Sequence, residues 1–325
     1  MYLDSYVARR FRVFQEVWIL PWWGNGWVTA IPLWMLDSMV LMVKLFSTCV
    51  VAAIRVLIPP TMKSLNGETI LITGAGQGLG RELALQLAEL GATVICWDKD
   101  ARRNKAVVDE IRKKDGDSYG FTVDVTVRDQ VSSLATCISR QIADVSMVIN
   151  NAGALNCAPL THLKSESIAK LIEINLLAHF WVLEAFLPSM IKRRQGHIVA
   201  INSSAGLMPC SDMVPYCAAK FGLRGLMDAL SEELRLDTWT KNIHTTSVYL
   251  ATCSTGMYPP PSHRFTWWYS EITAKEAAKV IVEASLNLLN LALCCEEWRN
   301  KVSLEEKHLP QDSQRCLESF STVCF

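Results

Sequence analysis

The chain has 325 residues, enough for one large domain or two small ones. Half of the residues are apolar, and 32 basic side chains balance 32 acidic ones, which excludes the basic excess of a nucleic-acid binder. Eleven cysteines form no C-x-x-C pair and follow no repeat, so they read as buried thiols in a reducing compartment, and six scattered histidines suggest no metal site.

Residues 1–62 differ in composition from everything after them. Five of the eleven tryptophans fall here (Trp18, Trp22, Trp23, Trp27 and Trp34), and tryptophan is enriched at membrane–water interfaces. Between Asp37 and Arg55 lie seventeen residues with one charge, Lys44. That length is the lower limit for crossing a bilayer, and Lys44 must then snorkel or face a partner. The pattern predicts a membrane-anchoring segment, with a single crossing, a re-entrant hairpin around Pro21 and Pro32, and an interfacial helix all open. A buried core helix is the alternative. The apolar run starts too late for a cleavable signal peptide. Arg9, Arg10 and Arg12 before the segment and Arg55 and Lys63 after it leave its orientation undecided, and Pro59 and Pro60 end it.

From residue 68 the chain reads as strand, turn, helix. TILIT at 69–73 suits a buried parallel strand, and it runs into Gly74-Ala75-Gly76-Gln77-Gly78-Leu79-Gly80. A helix follows, with Leu79, Leu83, Leu87 and Leu90 on one face and Gly91 as its stop. Glycines at such a junction let the backbone approach a pyrophosphate, and the helix N-terminus attracts its charge. A second strand over 92–97 ends at Asp98, eighteen residues beyond Gly80. A carboxylate there suits the adenosine ribose hydroxyls and repels a 2′-phosphate, which favours NAD over NADP, while Arg102 and Arg103 leave NADP tolerance open. A plain turn aspartate is the alternative. A helix over 101–114, a strand over 119–123, then Asp124 and Val125 placed toward adenine, a helix near 128–141 and a strand over 146–149 continue the alternation. The basic clusters at 112–114 and 192–194 read as solvated helix ends, and His179 and His197 as packed or hydrogen-bonded side chains. Successive β/α units predict an α/β Rossmann-type doubly wound parallel sheet, with helices on both faces and the cofactor at its carboxyl edge.

The stretch SSAGLMPCSDMVPYCAAK, 203–220, puts Ser203 thirteen positions before Tyr216 and Lys220 four after it. Positions i and i+4 share a helix face, so the Lys220 ammonium can sit beside the Tyr216 phenol and favour its phenolate. Ser203, just past an apolar run, can donate a hydrogen bond to a carbonyl or alkoxide between them. A tyrosine and lysine at this spacing also occur as plain surface pairs. Farther on, the pattern predicts a strand over 245–249, an aromatic loop over 251–270, a helix over 274–295 with an unusually apolar second half, and a polar tail over 300–325.

Together these motifs resemble the short-chain dehydrogenase/reductase family. Thr73, Gly74, Gly78 and Gly80 match its T-G-x-x-x-G-x-G, Asn150, Asn151, Ala152 and Gly153 its N-N-A-G, and Asn175 its helix-borne catalytic asparagine. Ser203, Tyr216 and Lys220 match its catalytic serine, tyrosine and lysine. The hydrophobic leader, CWDKD, AFLPSM, GHIV, YCAAKFG and STGM resemble its membrane-associated branch of retinol dehydrogenases and 17β-hydroxysteroid dehydrogenases. One departure is Leu250-Ala251, where the family usually has proline, often with glycine.

The resemblance implies that Tyr216 exchanges the substrate proton and that Lys220 assists it and holds the nicotinamide ribose. It implies that Ser203 orients the substrate oxygen and that Asn175 holds a relay water. Gly74, Gln77, Gly78, Leu79, Gly80, Asp98, Asp124, Val125, Asn151, Ala152, Gly153, Tyr216, Lys220 and Thr255 would bind NAD. Ser203 and Tyr216 would bind substrate. Met257, Tyr258, Phe265, Trp267 and Trp268 suit an apolar alcohol, all-trans-retinol first, with a 17β-hydroxysteroid or long-chain fatty alcohol as alternatives. A catalytically inactive scaffold at a lipid droplet or the endoplasmic reticulum is the non-enzymatic alternative. The implied organisation is a membrane anchor at 1–62, touching lipid, a catalytic domain at 63–299 facing the cytosol, and a tail at 300–325. A homodimer at the endoplasmic reticulum membrane or lipid droplet is the expected assembly.

Overall fold

The computed structural model describes residues 65–250, 253–254, 272–286 and 291–293, with Met39 and Met42. The chain divides into a unit Met1–Thr61 and a unit Met62–Phe325. In the first, Met39 and Met42 are helical and exposed. The rest of the expected anchor, Thr255, most of the aromatic loop and the tail lie outside the described residues.

The second unit is built on a seven-stranded parallel sheet, in the order β3-β2-β1-β4-β5-β6-β9. Its strands are β1 (Thr69–Thr73), β2 (Thr93–Asp98), β3 (Ser118–Thr122), β4 (Met147–Asn150), β5 (Gly196–Ser203), β6 (Ile243–Leu250) and β9 (Leu291–Leu293). A separate parallel pair joins β7 (Cys253–Ser254) to β8 (Ile272–Thr273). The helices are α1 (Gly78–Glu89), α2 (Ala101–Lys113), α3 (Arg128–Gln141), α4 (Ser165–Ile172), α5 (Ala178–Arg193), α6 (Val214–Leu236) and α7 (Ala274–Leu286). A π-helical turn, Glu173–Leu177, joins α4 to α5.

Strand side chains alternate between the faces, which divides the core in two. Ile70, Ile72, Val94, Cys96 and Ile149 pack with α1, α2 and α7 on one face. Leu71, Ile95, Trp97, Val148 and Ile198 pack with α3, α5 and α6 on the other. Apolar residues on both sides of each strand are what a sheet covered on both faces requires. Trp97 is fully buried and tilts against Phe186 of α5, with ring centroids 5.6 Å apart. The run Ser165–Arg193 is long and apolar enough to cross a bilayer by length and composition, yet its α5 part packs on α3, β4 and β5 as a core helix does.

The helix expected over 274–295 ends at Leu286, and Leu291–Leu293 is instead an edge strand. It pairs in parallel with β6, Ser247 opposite Leu291 and Tyr249 opposite Leu293. An apolar run alone does not separate a buried helix from a buried strand, and here the open edge of β6 takes the segment.

Candidate active site

The strands end on a cavity of about 690 Å³ at the carboxyl edge of the sheet. Its first wall is the β1–α1 loop. Gly74 and Gly78 have φ of 67° and 54°, a left-handed region that side chains rarely adopt. A Cβ on Gly80 would stand 2.1 Å from the Gly74 carbonyl oxygen, so no side chain fits where α1 begins. Gln77, extended at the N-cap, gives α1 no side-chain cap, which leaves the first amides of the helix to a ligand. Gly78, Leu79 and Gly80 all face the cavity.

The loop is pinned from two sides. Asn151 donates through Nδ2 to the Thr73 carbonyl at 2.9 Å and to that of Gly74 at 3.2 Å. The backbone amides of Asn151 and Ala152 both donate to Thr73 Oγ1, each at 3.0 Å. Opposite them, the Asp98 carboxylate accepts from the amides of Gly76 at 2.8 Å and Asp100 at 2.9 Å. Arg103 reaches across to Gln77 Oε1 and pairs with Asp100 at 3.2 Å. Asp124 turns its carboxylate to the Thr126 amide and hydroxyl, while Val125 lies beside it on the same wall. Narrow glycine turn, uncapped helix start and ribose-level carboxylate together fit a dinucleotide.

The other half of the cavity carries the polar groups expected to react. Ser203 ends β5, is buried, and its Oγ accepts from the Ala205 amide at 3.2 Å. Tyr216 and Lys220 lie one turn apart on α6, and both are buried. Lys220 Nζ stands 5.7 Å from the Tyr216 ring centroid and donates to the Ile201 carbonyl at 3.0 Å. Burial pushes the Lys220 ammonium down to about 8. Asn175 sits in the π turn, its Nδ2 donating to the carbonyls of Ala154 at 2.7 Å and Leu171 at 2.9 Å. Such a turn displaces a carbonyl from the regular helix ladder, a device found at functional sites. One turn farther, His179 is buried, and burial first, then the Lys220 charge, push it down to about 3. Its imidazole is therefore neutral, and neither ring nitrogen has a partner among the described residues. His197, by contrast, shares a 2.8 Å hydrogen bond with Thr246.

Of the residues expected to bind the cofactor or to react, all but Thr255 line this one cavity, and Thr255, like the aromatic substrate wall at 257–268, lies outside the described residues. Motif spacing did not single out Trp97, Leu155, Ile174, Asn202 and Cys253, which line it too. Beside Tyr216, Ala205 and Cys217 form an apolar patch with Leu155, Cys210 and Met213. Ala205, Cys210, Met213 and Cys217 belong to the 203–220 stretch, whereas Leu155 carried no pattern that could have grouped it with them. Cys96, behind the Asp98 wall, is pushed up to about 12 by burial and by Asp98, so it stays a thiol.

Comparison with known proteins agrees with this geometry. A model of the short chain dehydrogenase family matches residues 68–263. The 17-beta-hydroxysteroid dehydrogenase 13 of Mus musculus is 36% identical over 234 residues, 72% of this chain and 75% of that protein. Estradiol 17-beta-dehydrogenase 11 of Rattus norvegicus is also 36% identical, over 62% of this chain and 67% of its own length. A crystal structure of a metagenomic short-chain oxidoreductase in complex with NADP is 29% identical, with a TM-score of 0.60, and covers 71% of this chain and 96% of that one.

Proposed function

The chain belongs to the short-chain dehydrogenase family, and on that premise we propose that it transfers hydride between NAD and an apolar alcohol or carbonyl compound. As a family member it is an NAD(P)-dependent oxidoreductase acting on CH–OH groups. One observation carries the proposal: Ser203, Tyr216 and Lys220 face the same cavity as the glycine loop and Asp98. Tyr216 takes the substrate hydroxyl proton in oxidation and returns it in reduction. The Lys220 ammonium stabilises the phenolate electrostatically and would hold the nicotinamide ribose. Ser203 orients the substrate oxygen. Asn175 positions a water that links Lys220 to solvent. Bound NAD supplies the hydride acceptor at the nicotinamide ring.

The Asp98 carboxylate supports NAD as the preferred cofactor. Asp98→Ser is expected to weaken NAD binding about tenfold, the loss of one charge-assisted hydrogen bond worth about 1.5 kcal/mol, and to raise the relative affinity for NADP. Arg103 then faces the 2′-phosphate without a competing carboxylate on Asp98. Calorimetric titration of both cofactors checks this, and an unchanged preference counts against the role of Asp98.

The patch of Ala205, Cys217, Leu155, Cys210 and Met213 beside Tyr216 supports an apolar substrate. All-trans-retinol is one such alcohol, and the names of the relatives favour a second reading, a 17β-hydroxysteroid. The tryptophan-rich residues 1–62 support anchorage at the endoplasmic reticulum membrane or a lipid droplet, with residues 63–299 catalytic on the cytosolic side and 300–325 a tail. A homodimer is the expected assembly. Membranes carrying the full chain, given NAD with retinol, estradiol or a long-chain alcohol, separate the readings by the formation of NADH. Absence of turnover on all three, with no NAD binding, would sink the enzyme reading in favour of an inactive scaffold.

A further inference from the structure

Ser203 and Lys220 stand on different elements, the end of β5 and the second turn of α6, yet both must address one substrate oxygen and one phenol. Asn202 joins them. It is 2% exposed, and its Oδ1 accepts from the Ser203 amide at 2.9 Å while its Nδ2 donates to the Lys220 carbonyl at 3.2 Å. These partners fix which end of the amide is oxygen, since an N–H must meet an acceptor and a carbonyl a donor. Tyr249, opposite Asn202 in the register of β6, is itself buried, and its hydroxyl interacts with the Asn202 side chain. Gly206 closes over the amide: a Cβ there would lie 2.8 Å from both Asn202 Oδ1 and the Lys220 carbonyl oxygen.

We propose that Asn202 is a positioning residue, whose bridge from the Ser203 amide to the Lys220 carbonyl sets the spacing of Ser203 and Lys220 about Tyr216. The inference rests on the roles given above to those three residues. A buried amide with both ends occupied has no free rotation, so it transmits the position of the helix to the strand. Reacting groups tolerate little error: a displacement of about 1 Å costs on the order of 10²-fold in rate. Asn202→Asp is the informative change. It keeps the volume and the acceptor for the Ser203 amide but sets an oxygen against the Lys220 carbonyl, so the bridge breaks at one end.

The test compares full-length wild type, Asn202→Asp and Tyr249→Phe in detergent. With the best alcohol of the panel, Asn202→Asp is expected to lower kcat about 10- to 100-fold while KM and the NAD dissociation constant change less than about threefold. Tyr249→Phe, which removes one hydroxyl, is expected to lower kcat about 3- to 10-fold with the same split. A merely structural role would lower the melting temperature without that split. Crystal structures give a readout independent of any substrate: the Ser203 Oγ to Lys220 Nζ separation is expected to change by about 0.5 Å or more in Asn202→Asp. An unchanged separation, or kcat within twofold of wild type in both variants, overturns the proposal. If Asn202→Asp does not fold, Tyr249→Phe decides by the same two readouts. A wild type that oxidises no alcohol sinks the catalytic reading, and the crystallographic separation still decides whether Asn202 positions these groups.

Discussion

Tyr216→Phe is expected to lower kcat about 10²- to 10⁴-fold, the range contributed by a positioned general acid or base, and to leave NAD binding within about threefold of wild type. The substitution removes one oxygen. The ring keeps its packing against Ala205 and Cys217, and α6 keeps its place on the sheet. The groups proposed to hold the cofactor's adenosine and phosphates, the glycine loop and Asp98, lie on β1, α1 and β2 and are untouched. Steady-state kinetics on the best alcohol, together with fluorescence titration of NAD, separate the two effects. A variant that turned over at the wild-type rate would remove Tyr216 from the chemistry.

Lys220→Met should act in opposite directions on activity and on stability. It removes the cation beside Tyr216, so kcat should fall at least about 10²-fold, and the proposed hold on the nicotinamide ribose goes with it. The fold, however, is relieved of a buried charge. Burial lowers the Lys220 pKa from 10.5 to about 8, which corresponds to a cost of about 3 kcal/mol at neutral pH. Against this stands the lost charge-assisted hydrogen bond to the Ile201 carbonyl, worth about 1.5 kcal/mol. Methionine nearly conserves the side-chain volume, so packing changes little. The variant is therefore expected to be more stable than wild type by about 1.5 kcal/mol at pH 7.

The pH dependence fixes the sign of this effect. Between about pH 8 and 10.5 the unfolded wild type binds more protons at this lysine than the folded one, so wild-type stability rises with pH across that window. Below about pH 8 both states are protonated and the cost is constant and complete. The advantage of Lys220→Met should thus be full at pH 7 and shrink as pH rises toward 10.5. Urea unfolding at several pH values measures it. A variant less stable than wild type at pH 7 would mean that the ammonium is better compensated than its burial implies.

Much of the site was legible because it depends on local backbone chemistry. Gly74, Gly78 and Gly80 occupy a turn and a close approach that side chains cannot, so their spacing announces the loop wherever it occurs. Tyr216 and Lys220 share a face because α6 is a helix, and a four-residue spacing carries that fact on its own. Asp98 could be placed because β2 is short and leads straight to the sheet edge. The helix expected over 274–295 misled because its apolar second half suits either a helix or a strand, and only the open edge of β6 decides between them.

The linear chain by itself determined the alternation of strands and helices, the glycine turn and the side chains proposed to react, because each follows from residue type and short-range spacing. Tertiary packing alone decided that Lys220 is buried deeply enough to lose affinity for its proton. It also decided that Leu155 packs beside Tyr216, and that Asn202 meets Lys220 and Tyr249. Those properties depend on the surroundings that distant segments provide, and no local pattern encodes which segments will meet.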